Sequence, residues 1–266
     1  MRVEKIPLDP SDPACYLETY VSDPVGDSLR PAMLVIPGGG YCSVCSDREG
    51  EPVALAFLPY GFQGFVLHYS VREKARFPRP LVQAMRAMAW IREHAAEVAV
   101  DPERIFAVGF SAGGHLCAAL GTLWHLADAA AEAGTVPERV RPRGVIPVYP
   151  VISSDETVGH MGTFDNLAGA DPEEREKWSL EKRADERAVP MCLIHTADDA
   201  AASVRNSLVL AWALSVHGVP FEMHVYQSAP HGMALCNAVT SRGRPAHDDP
   251  HNATWVAMAA EWAKKL

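Results

Sequence analysis

The chain has 266 residues, 48% of them hydrophobic, enough to bury a sizeable core in one large domain or two small ones. Its 24 Lys and Arg stand against 33 Asp and Glu, a net charge of −9. That balance argues against a nucleic-acid groove, which needs clustered cations to displace counterions, and no apolar stretch reaches the ~18 residues of a membrane span.

Met1 to Pro13 is charged and proline-rich, with no apolar segment or small-residue cleavage site, so no signal peptide is expected. Ala14 to Val21 and Ala32 to Ile36 read as strands, Glu51 to Pro59 as a short helix, and Gly64 to Tyr69 as a buried strand. Leu81 to Ala99 reads as a long helix, stopped by a turn at Asp101-Pro102. Arg104 to Gly109 is a strand, and Ser111 opens the next helix. Strands follow at Gly144 to Tyr149, Met191 to Thr196 and Phe221 to Tyr226. Helices run from about Val204 to His217 and from Asp249 to Lys264. Strands alternating with helices predict the α/β class, a mostly parallel sheet covered on both faces. No repeat or linker divides the chain, so 1–266 reads as one domain.

The stretch from Ile152 to Val189 is polar and irregular, and it separates strands that otherwise read as neighbours. Long inserts over the C-terminal edge of a parallel sheet shape ligand sites, so about 152–189 is expected to form a small partial lid. Its charged run, Glu173 to Lys177, reads as a solvated face. Six cysteines lie scattered at 15, 42, 45, 117, 192 and 236. One C-x-x-C without a second pair at zinc spacing predicts no metal site, and free thiols fit a reducing, cytoplasmic setting.

The chemistry concentrates in Gly109-Phe110-Ser111-Ala112-Gly113-Gly114-His115. A serine between glycines, after an apolar run and before a helix-forming one, is the layout of a nucleophile elbow. The tight turn projects the hydroxyl from the sheet, and the helix after it aims amides and a positive dipole end at the site. Serine needs a base. His231, in a loop after the last strand and followed by Gly232, is the best placed of the eleven histidines. His115 reads as a packing residue, and His247, Asp248, Asp249 and His251 as a solvated loop capping the last helix. The histidine needs a carboxylate. Asp198 and Asp199 both follow the strand ending near His195, and spacing alone does not separate them. An oxyanion needs two donors: the amide of Ala112, and the glycine loop Pro37-Gly38-Gly39-Gly40-Tyr41. No phosphate-loop pattern competes for those glycines.

These segments, together with Arg48-Glu49-Gly50-Glu51-Pro52, Tyr149-Pro150-Val151-Ile152, Trp178-Ser179-Leu180-Glu181-Lys182 and His195-Thr196-Ala197-Asp198-Asp199, resemble α/β-hydrolase esterases. The likeness is to the acetylesterase and acetyl-xylan-esterase-like group, related to the hormone-sensitive-lipase type, and it spans nearly the whole chain. It implies an α/β-hydrolase fold and a serine mechanism with Ser111, Asp199 and His231, without cofactor or metal. In such enzymes the acid lies three residues before a Val-Pro pair, a place held here by Ala202-Ser203, which singles out Asp199. The oxyanion donors carried over are Gly39, Gly40 and Ala112. The resemblance also implies short acyl groups, chiefly acetyl, on sugars or small alcohols. Tyr41, Trp178 and Trp124 are the aromatic candidates for a sugar-compatible pocket. The expected partner is a small-molecule ester, not nucleic acid or membrane, and self-association stays open. An arylformamidase or small peptidase on the same fold, or a non-catalytic binding protein, are the alternatives.

Overall fold

The apolar runs become the middle of a single sheet. The computed structural model describes residues 1–266 except 24 and 27. Among the described residues, the strands are β1 (Lys5–Pro7), β2 (Tyr16–Tyr20), β3 (Arg30–Ile36), β4 (Gln63–His68), β5 (Val100–Phe110), β6 (Gly144–Val148), β7 (Met191–Thr196) and β8 (Phe221–Tyr226). Their order is β1-β2-β4-β3-β5-β6-β7-β8. β1 and β2 pair antiparallel, as do β2 and β4, and every later pair is parallel. The helices are α1 (Ser46–Glu49), α2 (Glu51–Phe57), α3 (Arg79–Glu93), α4 (Ala112–Leu123), α5 (Ala127–Glu132), α6 (Pro137–Val140), α7 (Met161–Leu167), α8 (Pro172–Glu176), α9 (Arg205–Val216) and α10 (Trp255–Lys265).

Side chains alternate across a strand, so each central strand feeds two cores. Leu34 and Ile36 of β3 pack with Met85 of α3 and Leu116 of α4. Met33 and Val35 pack on the other face with Phe57 of α2 and Trp255 of α10. Trp255 is fully buried, edge-on to Phe57 and Phe110. Its indole N–H donates to the Ala234 carbonyl at 2.9 Å, which ties α10 to the loop after β8. Truncating such a side chain costs about 3–5 kcal/mol.

The parallel alternation and the α/β-hydrolase fold stand as expected. Several boundaries differ. β1 is short, half-polar and proline-ended, so it lacks the pattern that marks a strand. α3 begins at Arg79 and ends at Glu93, because residues 94–99 turn the chain into β5, with Ala99 at φ 52. Asp101-Pro102 lies within β5, where the register against β3 breaks between Arg30 and Ala32. The 152–189 segment is less irregular than expected: it holds α7 and α8. The charged run forms most of α8 and its cap, with Glu173, Glu176 and Lys177 exposed and Arg175 bonded to the Gly169 carbonyl and Asp165. α10 begins at Trp255, while Asp249 accepts from the amides of His251 and Asn252 and caps the short 3-10 turn before it.

β8 is an edge strand. Phe221 and Val225 on it, and Leu208, Trp212 and Val216 four residues apart on α9, are exposed apolar side chains. Among the described residues, no helix is long and apolar enough to cross a membrane.

Candidate active site

Ser111 sits between β5 and α4 with φ 54 and ψ −116, a backbone that L-residues adopt only under constraint. The glycines supply the constraint. A Cβ on Gly109 would lie 2.1 Å from the Gly113 carbonyl oxygen, and one on Gly113 would lie 2.2 Å from that of Ile36. Only bare backbone lets strand and helix approach this closely. Twelve buried residues of α4 then run away from Ser111, with their N-terminal end directed at it.

His231 arrives from the loop after β8, followed by Gly232 at φ 76. The Ser111 hydroxyl donates to His231 Nε2 at 2.8 Å, and His231 Nδ1 donates to Asp199 Oδ2 at 2.7 Å. Asp199 is buried. Its other oxygen accepts from the amides of Ala201 and Ala202, each at 2.9 Å. Burial opposes its ionisation, but the hydrogen bond and charge of His231, with those two amides, outweigh it and hold the carboxyl below its ordinary range. The loop closes on Asp199 without a Val-Pro pair, helped by His195, which bonds the Ala202 carbonyl at 2.8 Å. Asp198 turns the other way. It accepts from the Ser228 hydroxyl at 2.5 Å and the Ala229 amide at 3.2 Å, anchoring the chain that leads to His231. The structure therefore separates the two aspartates that spacing could not.

The glycine loop packs onto Ser111. A Cβ on Gly38 would meet the Ser111 Cβ at 3.1 Å, and Gly39 and Gly40 hold φ values of 130 and 63. The amides of Gly39, Gly40 and Ala112 have no intramolecular acceptor among the described residues. Gly39 and Gly40 border a cavity of about 210 Å³ that also touches Ser111, His231, Val151, His160 and Thr163. His160 and Thr163 belong to the start of α7, so the 152–189 segment walls one side of the cavity. Asn166 of α7 donates to the Gly40 carbonyl at 2.8 Å.

Glu49 is the residue that sequence reasoning missed. It is 1% exposed and lies beneath the loop. Gly38 donates its amide to Glu49 Oε2 at 2.8 Å, and the Tyr149 hydroxyl donates to Oε1 at 3.1 Å. Burial raises its carboxyl, opposed by Arg48, the Gly38 amide, Tyr149 and His231. Tyr149 in turn accepts from the Ala234 amide at 3.1 Å and stands edge-on to the His231 ring at 5.0 Å. Both residues fall in segments quoted above only for their resemblance. A buried carboxylate is unexpected from composition, and only its charged neighbour Arg48 hinted at a pair.

The three aromatic pocket candidates are corrected. Tyr41 is fully buried, and its hydroxyl donates to His115 Nδ1 at 2.9 Å. Trp178 packs on Phe77 at 4.9 Å, and its carbonyl accepts from His115 Nε2 at 2.9 Å. Trp124 reaches the Arg187 carbonyl, away from Ser111. Apolar aromatic surface was better used in the core around His115 than at the cavity. His115, fully buried and bonded at both nitrogens, is the packing residue expected. Among the described residues, the side chains close enough to share a cation are Cys192, Glu222 and His224. Glu222 and His224 already bond each other at 2.7 Å, and burial raises the Cys192 thiol. The six cysteines are free, Cys42 of the C-x-x-C among them.

A carboxylate, an imidazole and a hydroxyl in one hydrogen-bonded line, beside three free amides, can draw a proton from the hydroxyl and stabilise an oxyanion. With the parallel sheet, this defines the architecture of an α/β hydrolase. The chain belongs to the BD-FAE family, whose model matches residues 17–214. It is 36% identical over 220 residues to endo-1,4-beta-xylanase B of Butyrivibrio fibrisolvens, covering 79% of this chain and 34% of that protein. It is 28% identical over 210 residues to the acetylxylan esterase of Xylanibacter ruminicola, covering 77% and 41%. The chain thus spans well under half the length of these curated relatives. The crystal structure of an acetyl ester-xyloside bifunctional hydrolase from Caldicellulosiruptor lactoaceticus superposes with a TM-score of 0.84 at 33% identity, covering 99% of this chain and 96% of that one.

Proposed function

We propose that the protein is a serine carboxylesterase that removes short acyl groups, acetyl above all, from esters of carbohydrates or small alcohols. The observation that carries this reading is the line from Asp199 through His231 to Ser111, at 2.7 and 2.8 Å, opening into the cavity beneath Gly39 and Gly40. His231 takes the Ser111 proton as the oxygen attacks the ester carbonyl. The amides of Gly39, Gly40 and Ala112 receive the negative charge of the tetrahedral intermediate. His231 gives its proton to the leaving alcohol, and the acyl group remains on Ser111. Water, deprotonated by His231, then attacks the acyl-enzyme and releases the acid. Asp199 stays ionised and holds the imidazole with its Nδ1 proton inward.

The cavity of about 210 Å³ supports a small acyl group, since drug-sized ligand sites run from roughly 300 Å³ upward. The acetylxylan esterase and the acetyl ester-xyloside hydrolase among its relatives support the acetyl and carbohydrate assignments. The test compares p-nitrophenyl acetate, butyrate and octanoate with an acetylated xylo-oligosaccharide, in the wild type and in Ser111→Ala. Fastest turnover of acetate, deacetylation of the oligosaccharide and loss of both in Ser111→Ala are expected. Octanoate as the best substrate, or an inert oligosaccharide, would overturn the acyl or the carbohydrate assignment respectively.

A further inference from the structure

A second cavity of about 100 Å³ lies next to the first, against His231. Arg48 and His231 border both, whereas Ser111, Gly39 and Gly40 border only the first. The second is lined by Arg48 of α1 and by Arg242, Arg244 and His247 of the long loop between β8 and α10. Arg48 packs against Gly232, where a Cβ would lie 3.5 Å from its guanidinium. The protein carries a net charge of −9, yet three arginines and a histidine line this one small cavity.

The charges do not cancel. Arg48 faces Glu49 at 3.5 Å and Asp47 at 3.8 Å, and Arg242 pairs with the same Asp47. Arg244 has no carboxylate partner among the described residues. Three guanidiniums thus meet two carboxylates, and one of those, Glu49, is already engaged by Gly38 and Tyr149. Burial, then Arg244, and further Arg48 and Arg242, hold the His247 imidazole below its ordinary range despite a hydrogen bond to Gly232 that favours its charge. The three cations therefore converge on one place. The volume is that of about three waters, room for a carboxylate or phosphate head group.

We infer that this cavity is a subsite for an anionic group, a carboxylate or a phosphate, carried on the alcohol half of the ester. The leaving oxygen must come within reach of His231 Nε2 to be protonated, so the alcohol lies on the His231 side of Ser111. A pyranose held there by its ester oxygen extends past His231, and an acidic substituent on it or on the next sugar enters between the guanidiniums. Arginine forks suit both carboxylate and phosphate. The favoured substrates are acetylated acidic sugars rather than neutral ones. This rests on the Ser111–His231 reading above.

The test measures kcat/KM for an acetylated xylobiose, the same acetylated disaccharide carrying a uronic acid, an acetylated sugar phosphate, and p-nitrophenyl hemisuccinate, whose charge sits on the acyl side. At low ionic strength the acidic alcohols are expected to exceed the neutral one by about tenfold, the worth of one charge-assisted pair. The advantage shrinks at high salt. Comparison of the uronic acid with the phosphate identifies the source of the anion. Arg244→Glu is expected to abolish the preference, while Arg187→Glu, whose native residue pairs with Asp185 elsewhere, keeps it. Inhibition of p-nitrophenyl acetate hydrolysis by free glucuronate but not glucose, lost in Arg244→Glu, gives the same answer without sugar-ester turnover. Equal rates on neutral and acidic substrates with equal inhibition by glucose and glucuronate would overturn the subsite, as would a preference kept in Arg244→Glu or confined to the hemisuccinate. Loss of all hydrolysis in Ser111→Ala alongside such a result leaves the esterase reading intact and removes only the subsite.

Discussion

Tyr149 donates its hydroxyl to Glu49 at 3.1 Å, and this one contact joins the two halves of the candidate site. On one side Glu49 holds the glycine loop through the Gly38 amide. On the other, Tyr149 holds the His231 loop through the Ala234 amide. A preorganised oxyanion site needs donors fixed before the reaction, and a buried carboxylate behind the loop does that without touching substrate chemistry.

Glu49→Ala is expected to lower kcat of p-nitrophenyl acetate hydrolysis by about a hundredfold, the loss that follows removal of one oxyanion donor. KM should change far less, because the loop stabilises charge that exists only in the transition state. Glu49→Gln keeps an acceptor for Gly38 and should recover most of kcat. Steady-state kinetics on both, with a thermal melt to exclude unfolding, decide the matter. A loss carried entirely by KM, or no recovery in Glu49→Gln, would show that Glu49 does not act through the loop.

The two aspartates should behave very differently. Asp199→Asn is expected to reduce kcat by about 10⁴, as loss of the carboxylate leaves the imidazole in the wrong tautomer. Asp198→Asn disturbs only the anchoring of Ser228 and Ala229, so its kcat should fall less than about tenfold, the cost of roughly one hydrogen bond. Similar losses in both variants would contradict the separation seen in the structure.

Stability should fall on acidification through His115. Burial, opposed by the Trp178 carbonyl, brings its imidazole from 6.5 down to about 4. The unfolded chain then binds more protons between those values. The contribution is complete above pH 6.5 and is lost as the pH falls toward 4. From pH 7 to 5 this group alone removes about 2 kcal/mol. Urea unfolding of the wild type and His115→Asn at both values should show a loss smaller by that amount in the variant. An equal loss in both would remove His115 from the acid response.

Glycines divide by what surrounds them, as one in the elbow and one in a surface turn show. Gly113→Ala drives a Cβ into the Ile36 carbonyl at 2.2 Å and should cost more than about 4 kcal/mol, seen as loss of soluble protein or a collapsed melting temperature. Gly134→Ala has open space and only a left-handed backbone against it, so its cost should be about 1 kcal/mol. Thermal melts of the two, run together, check this ordering.

The central strands were legible because both their faces are buried: Ile105 to Phe110 and Met191 to Ile194 are unbroken apolar runs in the sequence and in the sheet. β1 was not, since a three-residue edge strand ending in proline carries no periodic signal. Ser111 and His231 were legible from punctuation, glycines beside a strand end. The roles of Glu49 and Tyr149 were not, because they arise from two chain segments a hundred residues apart meeting beneath a loop. Tyr41 misled for a related reason. Its place beside three glycines suggested a pocket wall, but its backbone, at φ 56, turns the ring inward toward His115.

The most direct test of the account is to treat the protein with a fluorophosphonate and map the adduct by peptide mass spectrometry. A single covalent adduct on Ser111, absent in Ser111→Ala together with ester hydrolysis, is the predicted result. An adduct on another residue, or hydrolysis that persists in Ser111→Ala, would contradict it.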